Sequence, residues 1–198
     1  ALDPDHWSYL PSGSVGIPPV AAVYFAHAYK VAQSQGYKVP ADAHFWSIMG
    51  DSEFREGSLM EVAPEAAERN LGNVTWIVDY NRQSLDGARI INEGGLGGKD
   101  SDRIEGTMAA NGWEVIQIRH GQFRKKLFAS GPDGEALQHV VEEAVPDFEF
   151  QSLLVKRDAK AIVEAVSQYD KSAGKALKGL SEADVIRFWR DLGGHDVP

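Results

Sequence analysis

Two short apolar runs, each followed at once by a polar turn, set the fold of this chain. The runs cover residues 43–49 and 74–78, and both are rich in aromatic and β-branched residues, as buried parallel strands are. Between them, residues 58–71 have the apolar spacing of a helix. A strand, a helix and a second strand in this order form a βαβ unit, in which the two strands lie side by side. We therefore predict an α/β fold built on a parallel sheet.

The polar residues after each run fall at the carboxyl ends of the predicted strands. Gly50, Asp51 and Ser52 follow the first run. Asn81 follows the second run and stands 30 positions beyond Asp51, since 81 − 51 = 30. In open α/β sheets the carboxyl ends of neighbouring parallel strands meet at one edge, where ligands bind, so Asp51 and Asn81 should converge. Their side-chain oxygens, beside a helix N-terminus, suit a hard divalent cation that carries phosphate oxygens.

The composition limits the class of protein. The chain has 198 residues, 43% of them hydrophobic, and can bury on the order of 70% of its unfolded surface, enough for one α/β core. The formal charge of −9 is spread without a basic stripe, which argues against a nucleic-acid or anionic-membrane surface. The absence of cysteine excludes disulfides, thiolate metal sites and thiol nucleophiles. The sequence has no apolar run of roughly 20 residues and no signal-peptide pattern, so we expect a cytoplasmic protein.

The rest of the chain is predicted to be mainly helical. A helix follows the loop 12–19 and ends near Gly36, and another covers 104–111 before a strand at 113–118. The last third carries helical spacing over 135–143, 159–169 and 181–192, with Ser181 and Asp184 spaced as a capping pair. The expected architecture is an open, mostly parallel sheet with helices on both faces and a helical C-terminal third.

Several segments together resemble a known group of enzymes. They read GDSEFREG, NVTWIVDYNRQSLDG, IINE and GWEVIQI, with GSVGIPPVAAVY upstream and LGGHDVP at the end. In this order they resemble the transketolase superfamily of thiamine diphosphate enzymes, and most closely the homodimeric decarboxylating components of bacterial pyruvate dehydrogenase complexes. The resemblance implies that residues 1–198 form the domain that binds the diphosphate and magnesium ion of the cofactor.

The resemblance assigns a metal and diphosphate role to the two polar turns. It implies that Asp51 and Asn81 give side-chain oxygens to magnesium and that Gln83 gives its backbone carbonyl, with diphosphate oxygens and water completing the shell. Gly50 opens the family's Gly-Asp-Gly motif beside the diphosphate. The competing interpretation of Asp51 is a helix cap, a common use of aspartate.

One motif position departs from the family pattern, because Ser52 stands where the superfamily usually has glycine. Glycine lets the main chain approach the diphosphate, so a side chain there crowds the diphosphate or requires a changed turn. The hydroxyl of Ser52 can also donate a hydrogen bond to a phosphate oxygen.

Four further positions are assigned by the resemblance. Glu56 matches an acidic residue near the subunit interface that links two active sites by hydrogen bonds, and it is our candidate catalytic residue. Val15 matches a cofactor contact near the aminopyrimidine and Leu85 matches another apolar contact, although core packing explains both residues equally well. Glu53 either offers its backbone amide to the diphosphate or is simply an acid favoured at a helix N-terminus.

What the resemblance implies for function is oxidative decarboxylation of a 2-oxo acid, pyruvate, with thiamine diphosphate and magnesium as cofactors. The acyl group would pass to the lipoyl groups of an acyltransferase component, and the enzyme would be a homodimer. The chain shows no pyrimidine-binding domain, which the same enzyme or a separate chain would supply. We therefore expect a fragment, or one half of a split enzyme, that is inactive alone.

Two alternatives stay open at this point. One is a transketolase-like domain that transfers two-carbon units between sugar phosphates. The other is a non-catalytic domain that retains the fold, with Ser52 as a mark of lost function. In a pyruvate dehydrogenase component or a transketolase-like enzyme, one diphosphate domain would form only half of a cofactor cleft. The apolar residues Val15, Ile17 and Leu85 should therefore lie exposed or rest against another chain.

Overall fold

The computed structural model describes residues 10, 12–13, 15–84 and 100–193, which divide into two compact units. Unit 1 holds the described residues up to Gln83 together with Ser101–Val115. Unit 2 holds those from Ile116 onward, with Ser84 and Asp100.

The helices and strands follow the chain in a simple order. The first part contains α1 (Ile17–Ser34), β1 (Phe45–Gly50), a short 3-10 helix (Asp51–Arg55), α2 (Gly57–Glu68), β2 (Val74–Asp79) and α3 (Asp100–Ala110). The second contains α4 (Gln122–Phe128), α5 (Pro132–His139), a π-helical turn (Val140–Ala144), α6 (Asp147–Lys156), α7 (Ala159–Tyr169), α8 (Lys171–Leu177) and α9 (Glu182–Arg190). Among the described helices, none combines the length and the apolar character needed to cross a membrane.

The two strands pair in parallel and end at the same edge. Phe45 lies opposite Val74, and Gly50 lies opposite Asp79. The predicted βαβ unit is therefore confirmed, with α2 as the crossover helix. The register also places the turn after β1 directly beside the turn after β2.

One face of this sheet is covered by helices of unit 1. Val23 of α1 and Val62 of α2 are buried in a core that includes Trp76. The indole N–H of Trp76 donates to the carbonyl of Pro19 (3.1 Å), and its ring lies 4.5 Å from that of Trp113. Trp46 and Ile48, which alternate to the other face of β1, are exposed. Side chains alternate between the two faces of the strand, so Ser47 and Met49 are buried while the apolar Trp46 and Ile48 are exposed.

Unit 2 is packed around aromatic residues of α9. Phe188 and Trp189 are fully buried, and the ring of Phe150 lies 4.9 Å from that of Trp189. The buried guanidinium of Arg124 donates to the carbonyls of Phe188 (2.9 Å) and Trp189 (2.7 Å) at the end of α9. It also lies over the rings of Phe150 and Phe188. The charge of Arg124 is thereby accommodated among backbone acceptors and ring faces.

The predicted ends of the C-terminal helices agree with the structure. The hydroxyl of Ser181 accepts a hydrogen bond from the Asp184 N–H (3.1 Å) and donates to the Asp184 carboxylate (2.7 Å). This pair satisfies a free backbone donor at the start of α9 and confirms the predicted cap. The helix predicted over 159–169 is also confirmed. The α/β class, the parallel sheet and the helical C-terminal third all match the sequence prediction.

In the second half of the chain one prediction was wrong and another had different bounds. Residues 113–118 form no strand, and the sheet of the described residues contains only β1 and β2. Trp113 is instead tied by its N–H to the carbonyl of Met108 (3.0 Å), at the end of α3. The helix predicted over 135–143 is present with wider bounds. It begins at Pro132 and continues from Val140 as a π-helical turn, in which the Val140 carbonyl accepts from the N–H of Val145 (3.0 Å).

Candidate functional site

Hydrogen bonds join the turns that follow β1 and β2. A carboxylate oxygen of Asp51 accepts from the backbone N–H of Arg82 (3.2 Å). The hydroxyl of Ser52 donates to the backbone carbonyl of Gln83 (2.6 Å). Asp51 is only 1% exposed, so its carboxylate is a structural part of this edge. The convergence predicted from the spacing of the two polar turns is thus confirmed.

The turn after β2 is stabilised by its own side chains. The side-chain oxygen of Asn81 accepts from the N–H of Gln83 (2.9 Å), and its amide nitrogen donates to the Asp79 carboxylate (3.3 Å). Arg82, which lies between Asn81 and Gln83, has a φ of 60°, which is unfavourable for a residue with a β-carbon. Asparagine commonly supports such a turn through a side-chain bond to the backbone two residues later.

The carboxylate of Glu53 connects two segments that are distant in sequence. One oxygen accepts from the N–H of Gly16 (2.8 Å), just before α1, and the other from the N–H of Gly50 (2.8 Å), at the end of β1. Glu53 is 5% exposed. The side chain therefore fixes the loop before α1 against the turn that carries Asp51, a role that neither sequence interpretation of Glu53 included.

Glu56 lies against the start of α1. Gly16 has a φ of 75°, and a β-carbon there would come within 3.0 Å of the β-carbon of Glu56. Glycine is therefore required at position 16 both by backbone conformation and by the close approach. Glu56 precedes α2 and makes no side-chain cap bond to it, so capping does not account for this carboxylate.

The structure describes two of the three apolar residues that were expected to lie beside the cofactor cleft. Val15 is 46% exposed and Ile17 is 52% exposed, as predicted for residues beside an incomplete cleft. Leu85 lies outside the described residues. The core-packing interpretation of Val15 is therefore wrong for this chain by itself.

The oxygens gathered at the two turns are of the kind that Mg²⁺ prefers. They comprise the Asp51 carboxylate, the Asn81 amide oxygen and the Gln83 carbonyl, on turns held together by hydrogen bonds. A carbonyl-type oxygen has two lone pairs, so it can accept a hydrogen bond and bind a cation at the same time. Across the described residues, no group of three His, Cys, Asp or Glu side chains could hold a metal, whereas this set contains a single carboxylate.

A second polar cluster lies in unit 2. His120 is hydrogen-bonded to Glu142 (2.7 Å) and lies 3.3 Å from a guanidinium nitrogen of Arg124. Burial lowers the pKa of His120, against the raising effect of its bond to Glu142. The ring is then neutral near pH 7, and the contact is a hydrogen bond that holds the segment before α4 to the π-helical turn.

Sequence reasoning missed two features of the main site. Gly16 stands just before a helix whose start is indicated by Pro18 and Pro19, but sequence reasoning did not connect this glycine with Glu53. The left-handed conformation of Arg82 carries no such signal, because it follows from the hydrogen bonds that surround it.

Comparisons with known proteins give one family and one group of similar proteins. Residues 11–132 match the family described as transketolase, thiamine diphosphate binding domain. The pyruvate dehydrogenase E1 component of Haemophilus influenzae is 31% identical over 98% of this chain and 21% of that protein. The E1 components of Pseudomonas aeruginosa (30%, 98% of this chain and 21% of that protein) and Corynebacterium glutamicum (27%, 97% and 20%) are similar. The chain thus spans about a fifth of the length of these relatives.

Proposed function

Because this chain belongs to the transketolase family of thiamine diphosphate-binding domains, we propose that it is the diphosphate-binding part of a pyruvate dehydrogenase E1 component. The observation that carries the proposal is a pair of hydrogen bonds, from the Arg82 N–H to the Asp51 carboxylate and from the Ser52 hydroxyl to the Gln83 carbonyl, which bring metal-binding oxygens together at the strand ends. The similarity to E1 components over nearly the whole chain supports the pyruvate-specific assignment.

In this proposal the two turns hold the charged end of the cofactor. Asp51, Asn81 and the carbonyl of Gln83 bind Mg²⁺, which in turn binds the diphosphate. The backbone at Gly50, Ser52 and Glu53 lies beside the diphosphate, at the start of the 3-10 helix. Thiamine diphosphate supplies, when bound, a nucleophilic carbon that attacks a 2-oxo acid and stabilises the charge left by decarboxylation.

The remaining parts of the active site come from outside these residues in our proposal. A pyrimidine-binding domain, of the same enzyme or of another chain, completes the cleft beside Val15 and Leu85. A second copy of the enzyme forms a homodimer in which Glu56 links the active sites. The exposure of Val15 and Ile17 supports a covering partner here. A lipoyl acyltransferase component receives the acyl group.

The test is an NMR titration of the isotope-labelled chain with millimolar thiamine diphosphate, in Mg²⁺ or in EDTA. We expect shifts of the backbone amides at 50–53 and 81–83 that require the metal. Asp51→Asn should abolish them, because asparagine can keep the bond to the Arg82 N–H but loses the negative charge that the cation needs. Titration at high concentration makes even weak binding by this chain measurable.

The control is Asp42→Asn, which removes an exposed carboxylate just before the opposite end of β1. This variant should titrate like the unchanged chain. Shifts of equal size in EDTA or in Asp51→Asn would overturn the metal assignment. No shifts at either turn with Mg²⁺ present would overturn the proposed function.

A further inference from the structure

Position 52 carries a contact that a glycine could not make. The hydroxyl of Ser52 donates to the carbonyl of Gln83 across 31 positions of sequence, at 2.6 Å. This carbonyl is the third oxygen of the proposed cation site, so the hydroxyl acts on a metal-binding atom directly.

The turn that carries Gln83 needs such support. Arg82 has a φ of 60°, in the left-handed region that residues with a β-carbon occupy at a cost. Conformations of this kind persist only where surrounding contacts hold them. Two long-range bonds do so here: the Arg82 N–H donates to Asp51 (3.2 Å), and the Gln83 carbonyl accepts from Ser52. Ser52 therefore closes the far end of the turn, and Asp51 holds its middle.

We propose that Ser52 is a positioning residue that holds the Gln83 carbonyl in place before a cation arrives. A carbonyl oxygen has two lone pairs, so a hydrogen bond from the hydroxyl is compatible with a cation on the same oxygen. Ordering the turn in advance removes part of the entropy cost of binding, so the hydroxyl favours cation binding. The link to cation affinity rests on the proposed function, whereas the positioning of the carbonyl does not.

The alternative effect of Ser52 is crowding, and the two effects have opposite signs. If the side chain merely obstructs the diphosphate, Ser52→Ala should improve cofactor binding and the larger Ser52→Thr should impair it. If the hydroxyl positions the carbonyl, Ser52→Ala should impair binding and Ser52→Thr, which keeps the hydroxyl, should restore it.

The first measurement is hydrogen exchange of the Arg82 and Gln83 amides in the metal-free chain. Ser52→Ala should raise both rates about threefold to tenfold, the range expected for the loss of one solvent-accessible hydrogen bond. Ser52→Thr should return them to the original values. The control, Ser130→Ala, removes a hydroxyl that donates at the same 2.6 Å to the carbonyl of Leu127, and it should leave both amides unchanged.

The second measurement is the Mg²⁺ concentration needed for thiamine diphosphate binding, which Ser52→Ala should raise by a similar factor. Unchanged exchange at Arg82 and Gln83 in Ser52→Ala, or failure of Ser52→Thr to restore it, would overturn the inference. Tighter binding of thiamine diphosphate by Ser52→Ala would also overturn the inference. Failure of the unchanged chain to bind the cofactor would refute the proposed function, while the exchange measurement would still decide the role of Ser52.

Discussion

Replacing Glu53 by glutamine should weaken unit 1 more than its small change in shape suggests. The carboxylate accepts two backbone N–H groups, from Gly16 and Gly50, each at 2.8 Å. It is 5% exposed, so water replaces neither bond easily. Glutamine has one oxygen acceptor, and its NH₂ group must face the second N–H. One backbone donor is therefore left unsatisfied in Glu53→Gln.

The size of the effect follows from these two bonds. A hydrogen bond to a charged group contributes about 1.5–3 kcal/mol and a neutral one about 0.5–1.5 kcal/mol. Glu53→Gln exchanges two charged bonds for one neutral bond, and relief from burying a charge offsets part of the loss. The free energy of unfolding of unit 1 should fall by about 2–4 kcal/mol.

Urea denaturation followed by resolved NMR signals of unit 1 measures this change, and amide exchange at Gly16 and Gly50 locates it. Glu56→Gln is the matched control: this neighbouring carboxylate makes no side-chain cap bond, so its replacement should change stability by no more than about 0.5 kcal/mol. A loss below about 1 kcal/mol in Glu53→Gln, with both glycine amides still protected, would refute the reasoning.

Two further predictions concern unit 2. Gly174→Ala in α8 should destabilise it by about 1–3 kcal/mol, because the new β-carbon would lie 2.8 Å from that of Ser167. The control, Gly106→Ala in α3 of unit 1, places a β-carbon with nothing within 4 Å and should leave the stability of unit 1 unchanged or raise it when each unit is followed by denaturation. Burial lowers the pKa of His120, so the unfolded chain takes up its proton first and stability should fall as pH drops below about 6.5. His120→Asn should flatten this slope in pH-dependent unfolding, and an equally steep slope would contradict the assignment.

The part of the fold that sequence could predict is the part governed by local pattern. Runs of aromatic and β-branched residues located β1 and β2, and the βαβ unit that they form placed the turns of Asp51 and Asn81 at one edge. The cap at Ser181 followed from a side chain that can bond a backbone donor three residues away. The residues that determine the cap lie within a few positions of it, and those that determine the strands and their turns lie within one βαβ unit.

What sequence could not predict depends on partners elsewhere in the chain. Residues 113–118 have a strand-like pattern, but a strand exists only where another strand accepts its hydrogen bonds. The bond from Gly16 to Glu53 joins residues 37 positions apart, and the sequence around either residue does not indicate that the two are bonded. The same is true of the bond from the Ser52 hydroxyl to the Gln83 carbonyl, which joins residues 31 positions apart.

The distribution of unfavourable features supports the location of the site independently of family resemblance. Asp51 is a buried carboxylate, and Arg82, whose N–H donates to it, holds a left-handed backbone conformation. Buried charge and backbone strain both reduce stability, and proteins concentrate such departures from local rules at functional positions. A divalent cation between the turns would offset the charge of Asp51 and stabilise the turn at Arg82. Without a ligand, the buried charge and the strained backbone reduce the stability of this edge of the sheet. A cation and a diphosphate bound at the same edge would increase it.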